Sequence, residues 1–204
     1  MTPALPIPFH RPSIGAGEID AVTSTLRSGW LTTGPRTAEF EQEFKLATGA
    51  SHALAVNSCT AGLHLALAAL DLHRGEEVIT TPLTFCATVN VIIHTGATPV
   101  LADIDPDGNL DPESVADRLS PRTRAVLPGH FAGLPCHMAA FWDLARRHQL
   151  HVVEDCAHAL GASCDGRPIG SGPSDAAAFS FYAAKNSTTG EGGMVTTPHA
   201  SIAA

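Results

Sequence analysis

Apolar residues follow two rhythms along this chain. From Gly17 to Ser28 they recur at Ile19, Val22 and Leu26, one face of an amphipathic helix stopped by Gly29. After a loop at Trp30–Pro35, Thr37–Thr48 predicts a second helix. It carries Phe40, Phe44 and Ala47 on one face, acidic residues on the other, and Gly49 behind it. Beyond that point short strands and helices take turns. Strands are expected at His52–Asn57, Val78–Thr81, Pro99–Ala102, Ala125–Leu127, His151–Glu154, Ala178–Phe181 and Met194–Thr197. The helices among them are Thr60–Leu70, apolar nearly all round and so buried, then Phe85–Thr95, stopped by Gly96, and Ala139–His148. Another starts at Pro112 with Asp111 as its cap, after a turn at Asp105-Pro-Asp-Gly108. Repeated units of this length predict an α/β fold in three αβα layers, with a mainly parallel sheet covered on both faces. No repeat, low-complexity segment or linker interrupts it, so residues 1–204 are expected to form one domain.

Composition narrows the partners. The net charge of −8, without a basic run, argues against nucleic acid and anionic membranes. No apolar stretch is long enough to span a bilayer. The first ten residues hold three prolines and no basic region, so no secretion signal is expected. Cys59, Cys86, Cys136, Cys156 and Cys164 are odd in number and form no Cys-x-x-Cys pair, which suggests neither a disulfide framework nor a zinc site. A reduced, cytoplasmic, soluble protein is the expectation.

In open α/β sheets, ligands sit beyond the carboxyl ends of the strands. Here those ends read Asn57-Ser58-Cys59-Thr60, Thr81-Pro82, His130, Glu154-Asp155 and Ser180, with Lys185 shortly after. Lys185 is one of only two lysines and follows an apolar strand, in a segment punctuated by Gly190, Gly192 and Gly193 that suits tight turns. A lysine at the mouth of an apolar core can serve as nucleophile or base; an ordinary loop lysine needs no such role. Ser58-Cys59-Thr60-Ala61-Gly62 joins a strand to a helix. Its free amides and hydroxyls suit a phosphate, though capping by Ser58 or Thr60 explains them as well. Asp155, at the end of an apolar strand, needs a partner, either the following turn or a cationic ligand. Phe85 is core or a stacking platform, and His158 is a satisfied imidazole or a neighbour of the ligand. Asp155, Cys156 and His158 match no standard metal-ligand spacing. Gly15-Ala-Gly17 follows no strand and lacks the third glycine of a dinucleotide fingerprint.

One ligand uses all of these parts. Pyridoxal 5′-phosphate needs a lysine for its aldehyde, an anion seat, an acid for its ring nitrogen and an aromatic face. Lys185, Thr60 with Ser180, Asp155 and Phe85 supply them in that order.

The sequence resembles the DegT-type nucleotide-sugar aminotransferases, within the fold-type-I pyridoxal-phosphate enzymes. The resemblance is carried by Arg27-Ser-Gly-Trp-Leu-Thr-Thr-Gly-Pro35, Asn57-Ser-Cys-Thr-Ala61, Thr80-Thr-Pro-Leu-Thr-Phe85, Asp103-Ile-Asp105, His130-Phe-Ala-Gly-Leu-Pro135, Glu154-Asp-Cys-Ala-His158 and the Lys185 segment ending at Gly193. It implies an aspartate-aminotransferase-like large domain with Lys185 as the Schiff-base lysine and Asp155 on the pyridine nitrogen. It places Phe85 on the ring and His158 against the cofactor, with Thr60, the Ala61 amide and Ser180 on the phosphate. No metal is implied. The implied reaction is transamination of a nucleotide-linked keto-sugar with an amino acid donor such as glutamate, in a homodimer whose site lies at the two-fold interface. A dehydratase of the same family would carry histidine at position 185, and a non-catalytic fragment or binding protein of the same fold is a further alternative. Two departures stand out. Gly129 replaces a branched apolar residue and His137 a capping aspartate, which suggests local loosening away from the chemistry. Family enzymes also carry a C-terminal small domain, which this chain is expected to lack after Ala204.

Overall fold

The computed structural model describes residues 7–204; residues 1–6, the first part of the stretch expected not to be a secretion signal, lie outside them. The elements in chain order are α1 (Ala16–Ser28), α2 (Pro35–Thr48), β1 (His52–Val56), α3 (Cys59–Ala68), β2 (Glu77–Thr80), α4 (Cys86–His94), β3 (Thr98–Leu101), α5 (Pro112–Asp117) and β4 (Thr123–Val126). There follow a 3-10 turn at Phe131–Gly133, α6 (Met138–His148), β5 (His151–Asp155), β6 (Ser163–Cys164), β7 (Arg167–Pro168), β8 (Ala176–Ser180), β9 (Gly193–Thr197) and α7 (Ala200–Ala203). Seven strands make one sheet in the order β1-β9-β8-β5-β4-β2-β3. β9 runs antiparallel to both of its neighbours and every other pairing that involves β2, β3, β4, β5 and β8 is parallel.

Strand alternation splits the core into layers. In β8, Ala176 and Ala178 face the cluster around α3 and α4, whereas Ala177 and Phe179 face the opposite side. In β4 and β5 the same alternation sends Ala125 and Val153 to the α3–α4 side and Val126 and Val152 toward α5 and α6. On that second side α2 inserts Phe44 against Phe179 and Phe181, with ring centroids 5.1 and 5.8 Å away, geometry that suits edge-to-face aromatic contact. The three-layer expectation is met. α3 lies close on the sheet because position 62 is glycine: a Cβ there would stand 2.9 Å from Val195 Cγ2 and 3.3 Å from Ala178 Cβ.

Three features differ from the expectation. α1 forms and stops at Gly29, whose φ of 74° suits a glycine cap. Yet its apolar face is uncovered among the described residues, with Ile19, Val22 and Leu26 exposed to 58%, 61% and 61%. α3 is not buried all round, since Leu63, Ala66 and Leu67 are in the core while Leu65 is exposed. The short hairpin β6–β7 had no counterpart in the apolar pattern. Its turn residues, Asp165 and Gly166, both have positive φ (51° and 77°), the Asp-Gly signature of a tight hairpin.

Candidate active site

The carboxyl edge of the central strands gathers the expected residues. Asp155 ends β5, where its amide donates to Pro128 O at 2.9 Å and its carbonyl accepts from the His130 amide at 3.1 Å. Its buried carboxylate has donors on both oxygens. The Thr88 hydroxyl donates to Oδ2 at 2.8 Å, and the Ala157 amide donates to Oδ1 at 3.1 Å. The Cys59 thiol lies 3.8 Å from Oδ1 and 3.4 Å from Ala178 O. Burial, then the Asp155 charge, push that thiol well above its ordinary pKa, against the pull of Lys185, so Cys59 stays a protonated donor.

Lys185 sits in the connection from β8 to β9, half-buried, with its amide donating to Tyr182 O at 2.9 Å. The loop is pinned at both sides. Thr188 Oγ1 and the Thr189 amide donate to Phe181 O at 2.9 and 3.1 Å, and the Asn186 amide group donates to Leu160 O at 3.2 Å. The lysine's charge acts on the same neighbours as Asp155. Burial first, and then Lys185, lower the His158 pKa, while Asp155 works against them. Lys185, Asp155, Cys59 and His158 thus form one electrostatic group, and His158 favours the neutral imidazole.

The glycines of this connection play different parts. Gly190, with φ 85°, takes the left-handed turn expected of it. Gly193 instead makes room. A Cβ there would fall 2.5 Å from Ser58 C and 2.7 Å from Cys59 N, so β9 starts directly against the first turn of α3. At that turn Ser58 accepts from the Ala61 amide at 3.1 Å, the capping alternative raised by the sequence. The Cys59 and Thr60 amides have no protein acceptor among the described residues, and Thr60 is exposed beside them. Ser180 lies at the end of β8, paired in register with Gly193. Phe85 precedes α4 with its side chain 74% exposed, so it is not core and its ring is free to stack.

Gly129 is not remote from the chemistry, contrary to the expectation. It bridges Asp155 in parallel register, and a Cβ on it would stand 3.7 Å from both Asp155 Cβ and Thr84 Oγ1. His137 caps α6 without a side-chain hydrogen bond, and its Nε2 lies 3.7 Å from the buried Asp105 Oδ2. His130, Glu154 and Cys156 form a buried cluster with ligand-type atoms within 4.8 Å of one another. Hydrogen bonds already occupy both His130 nitrogens: Nδ1 accepts from the Cys136 amide and Nε2 meets Glu154 Oε2, each at 3.0 Å. The cluster is therefore a tie between β5 and the loop after β4.

Two things escaped the sequence. Thr84, just before α4, and Thr88, in its first turn, stand four residues apart, but hydroxyls alone did not mark Thr88 as the partner of Asp155 or Thr84 as its backing. A cleft of about 390 Å³ runs between His10–Ile14 and Ala183–Thr188, with Arg11, Glu18 and Lys185 in its lining. Nothing in the apolar pattern folds residues 10–14 over the Lys185 loop.

The residues present fit pyridoxal phosphate. A carboxylate has about four lone-pair sites, and Thr88, Ala157 and Cys59 approach three of them, leaving room for a ring N–H donor. A cation, a helix start with free amides and an exposed aromatic ring complete the match.

Solved structures with this fold include a protein named as a sugar aminotransferase, in its PLP, PMP and apo forms. A model of the DegT/DnrJ/EryC1/StrS aminotransferase family matches residues 12–204, and the chain belongs to that family. It is 54% identical over 198 residues to the spore coat polysaccharide biosynthesis protein SpsC of Bacillus subtilis, an alignment covering 97% of this chain and 51% of SpsC. It is also similar to Spr1654 of Streptococcus pneumoniae in its PLP form (TM-score 0.91, 37% identity, 96% of this chain and 54% of that one). A third likeness is to DesI in the presence of its TDP-sugar product (TM-score 0.86, 41% identity, 94% and 49%). The chain spans about half the length of these relatives.

Proposed function

We propose that this chain is the large, cofactor-binding domain of an enzyme that aminates a nucleotide-linked keto-sugar, with pyridoxal phosphate as cofactor and an amino acid such as glutamate as donor. The observation that carries the reading is the position of Lys185, on a pinned loop within electrostatic reach of His158 and Cys59, the two groups on which Asp155 also acts. The names of two relatives support it, one assigned to spore coat polysaccharide biosynthesis and one solved with a TDP-sugar product. Lysine at position 185, rather than histidine, favours transamination over dehydration. A homodimer and a cytoplasmic location belong to the same reading. No helix among the described residues is long and apolar enough to cross a membrane.

Bound at this site, the cofactor supplies an electron sink for the substrate carbon that bears nitrogen. Asp155, fixed by its three donors, holds the proton on the ring nitrogen. The first turn of α3, with Thr60 and the Ser180 hydroxyl, takes the phosphate. Phe85 covers a ring face and excludes water from it. Lys185 Nζ would hold the cofactor covalently, and, when free of it, the same amine would take the proton that transamination shifts from one reacting carbon and deliver it to the other, acting as base and then acid. The cleft beside Lys185 offers Arg11 and His10 to the anionic part of a nucleotide substrate.

Adding pyridoxal phosphate should give the visible absorption of a lysine-bound cofactor. Borohydride reduction and peptide mapping should then place the adduct on Lys185. An adduct on Lys45, or one spread over both lysines, would sink the assignment. A coupled glutamate-to-2-oxoglutarate assay with keto-sugar nucleotide separates an active enzyme from a binding protein of the same fold.

A further inference from the structure

We infer that Thr88, backed by Thr84, is a positioning residue that aims the Asp155 carboxylate at the cofactor's ring nitrogen; this rests on the function proposed above. Thr88 is wholly buried on α4, and its hydroxyl lies 2.8 Å from Asp155 Oδ2. Thr84 Oγ1 lies 2.7 Å from Thr88 Oγ1. A hydroxyl has one proton to give, and an ionised carboxylate only accepts. Thr88 therefore donates to Asp155, and Thr84 must donate to Thr88. The direction of the chain is fixed: Thr84 to Thr88 to Asp155.

This arrangement does more than satisfy a buried acid. The Ala157 amide and the Cys59 thiol serve Oδ1, so Thr88 is the only protein donor recorded on Oδ2 among the described residues. Without it the carboxylate keeps its partners on one oxygen only and is free to turn about its Cβ–Cγ bond. Gly129 adds room on this side, since a Cβ there would stand 3.7 Å from Asp155 Cβ and from Thr84 Oγ1. The same short stretch also supplies Phe85, one residue after Thr84 and three before Thr88. One helix start therefore sets both the acid on the ring nitrogen and the aromatic on the ring face. Hydroxyl donation to a charged acceptor is about twice as strong as a neutral hydrogen bond, which is why the residue type matters here.

The test uses Thr88→Val, which keeps the shape and removes the hydroxyl, and Thr88→Ser, which keeps the hydroxyl. The probe is pyridoxal phosphate itself, read by its dissociation constant and by the pH midpoint of its visible band on Lys185. Thr88→Val should raise the dissociation constant about tenfold, the effect of losing one charge-assisted hydrogen bond. It should also raise the pH midpoint. A weaker hold on the ring-nitrogen proton removes positive charge near the lysine nitrogen, which then keeps its own proton to higher pH. Thr88→Ser should return both readings to the wild-type values. A purely structural threonine would lower thermal stability and leave the midpoint in place. Wild-type values in Thr88→Val, or equal shifts in Thr88→Val and Thr88→Ser, would overturn the inference while the proposed function stands. If the wild-type protein takes no cofactor on Lys185, the function falls and this inference with it. Should Thr88→Val fail to fold, Thr84→Val is read by the same criteria: shifts in the same directions support the relay, and unchanged values overturn it.

Discussion

At position 193 a single hydrogen atom decides whether two distant segments can meet. A methyl group on Gly193 would press on the backbone of Ser58 and Cys59, at 2.5 to 2.7 Å, and backbone cannot rotate away as a side chain can. Gly193→Ala should therefore lower stability by about 1–3 kcal/mol, as overpacking of a close contact does. It should also displace the first turn of α3 and weaken phosphate retention. Gly192→Ala is the control: its new Cβ would meet the Thr189 hydroxyl at 2.4 Å, a side-chain atom that can swing aside. Thermal denaturation with phosphate binding checks both; equal effects at the two positions would contradict the close-approach account. Residue types at this scale were partly legible. Lys185, Asp155 and Thr60 stood out because charged and hydroxyl groups at strand ends demand a reason. Gly193 was legible as a glycine but not as a spacer, since only the fold reveals what lies 2.5 Å away. Thr88 was hidden for the opposite reason, because a threonine in a helix needs no partner until an acid is brought to it.

Between elements, one cluster at the amino-terminal edge of the sheet ties β5 to the segments flanking β8 and β9. His151 Nδ1 lies 2.9 Å from Asp175 Oδ1, and the Val152 amide donates to Asp175 Oδ2 at 2.8 Å. His199 Nε2 is 3.7 Å from the same Oδ1. The hydrogen bond that His151 donates to Asp175 raises the His151 pKa, outweighing burial. Burial works to raise that of Asp175, yet the bonds from His151 and Val152 overcome it and leave the value lowered. A raised histidine stabilises fully below its unfolded value near 6.5, and that contribution is lost as pH rises through the folded value. The lowered carboxylate contributes above about pH 3.9 and loses its share as pH falls through the folded value. The stability gap between wild type and His151→Gln should thus be largest near pH 5–6 and shrink toward pH 9. His151 is partly exposed, so the gap should stay below about 1 kcal/mol. Denaturant titrations at those pH values check it, and a gap that grows with pH would refute the pairing. The sequence showed the elements here but not the tie, because partners 24 residues apart meet only once β5 and β8 pair. The Asp165-Gly166 hairpin was readable by its turn chemistry alone, and two-residue strands are too short for an apolar rhythm to mark.

For the whole molecule, the alternation of strands and helices was enough to expect the layers, and the strand order was beyond it. β9 enters antiparallel between β1 and β8, placing the first strand of the sheet beside the last. That choice brings Ser58, near the chain's first quarter, against Gly193, and it assembles the site from segments that no local pattern links. Likewise α1 announces itself by Ile19, Val22 and Leu26, but periodicity says that a face is apolar and not what covers it. The topology has a thermodynamic consequence. On the proposed reading α3, the loop after β8, the end of β5 and the start of α4 all contribute to one ligand site, so pyridoxal phosphate should bind the native fold and not the unfolded chain. Stabilisation then follows mass action and reaches about 2.7 kcal/mol at a free cofactor concentration one hundred times its dissociation constant. For a chain of 204 residues that corresponds to a rise in Tm of roughly 5–11 °C. Inorganic phosphate, which on the proposed reading engages the α3 start alone, should raise Tm by less at the same free concentration, because fewer contacts give it a larger dissociation constant. Asp155→Ala should keep the phosphate response and lose most of the cofactor's excess over it, since that excess depends on the ring nitrogen. The decisive measurement is the melting temperature against cofactor concentration, beside a spectroscopic titration of Lys185. A lysine that takes the cofactor without any rise in Tm would mean that the segments do not close around it, and the assembled site would be wrong even though the lysine was right.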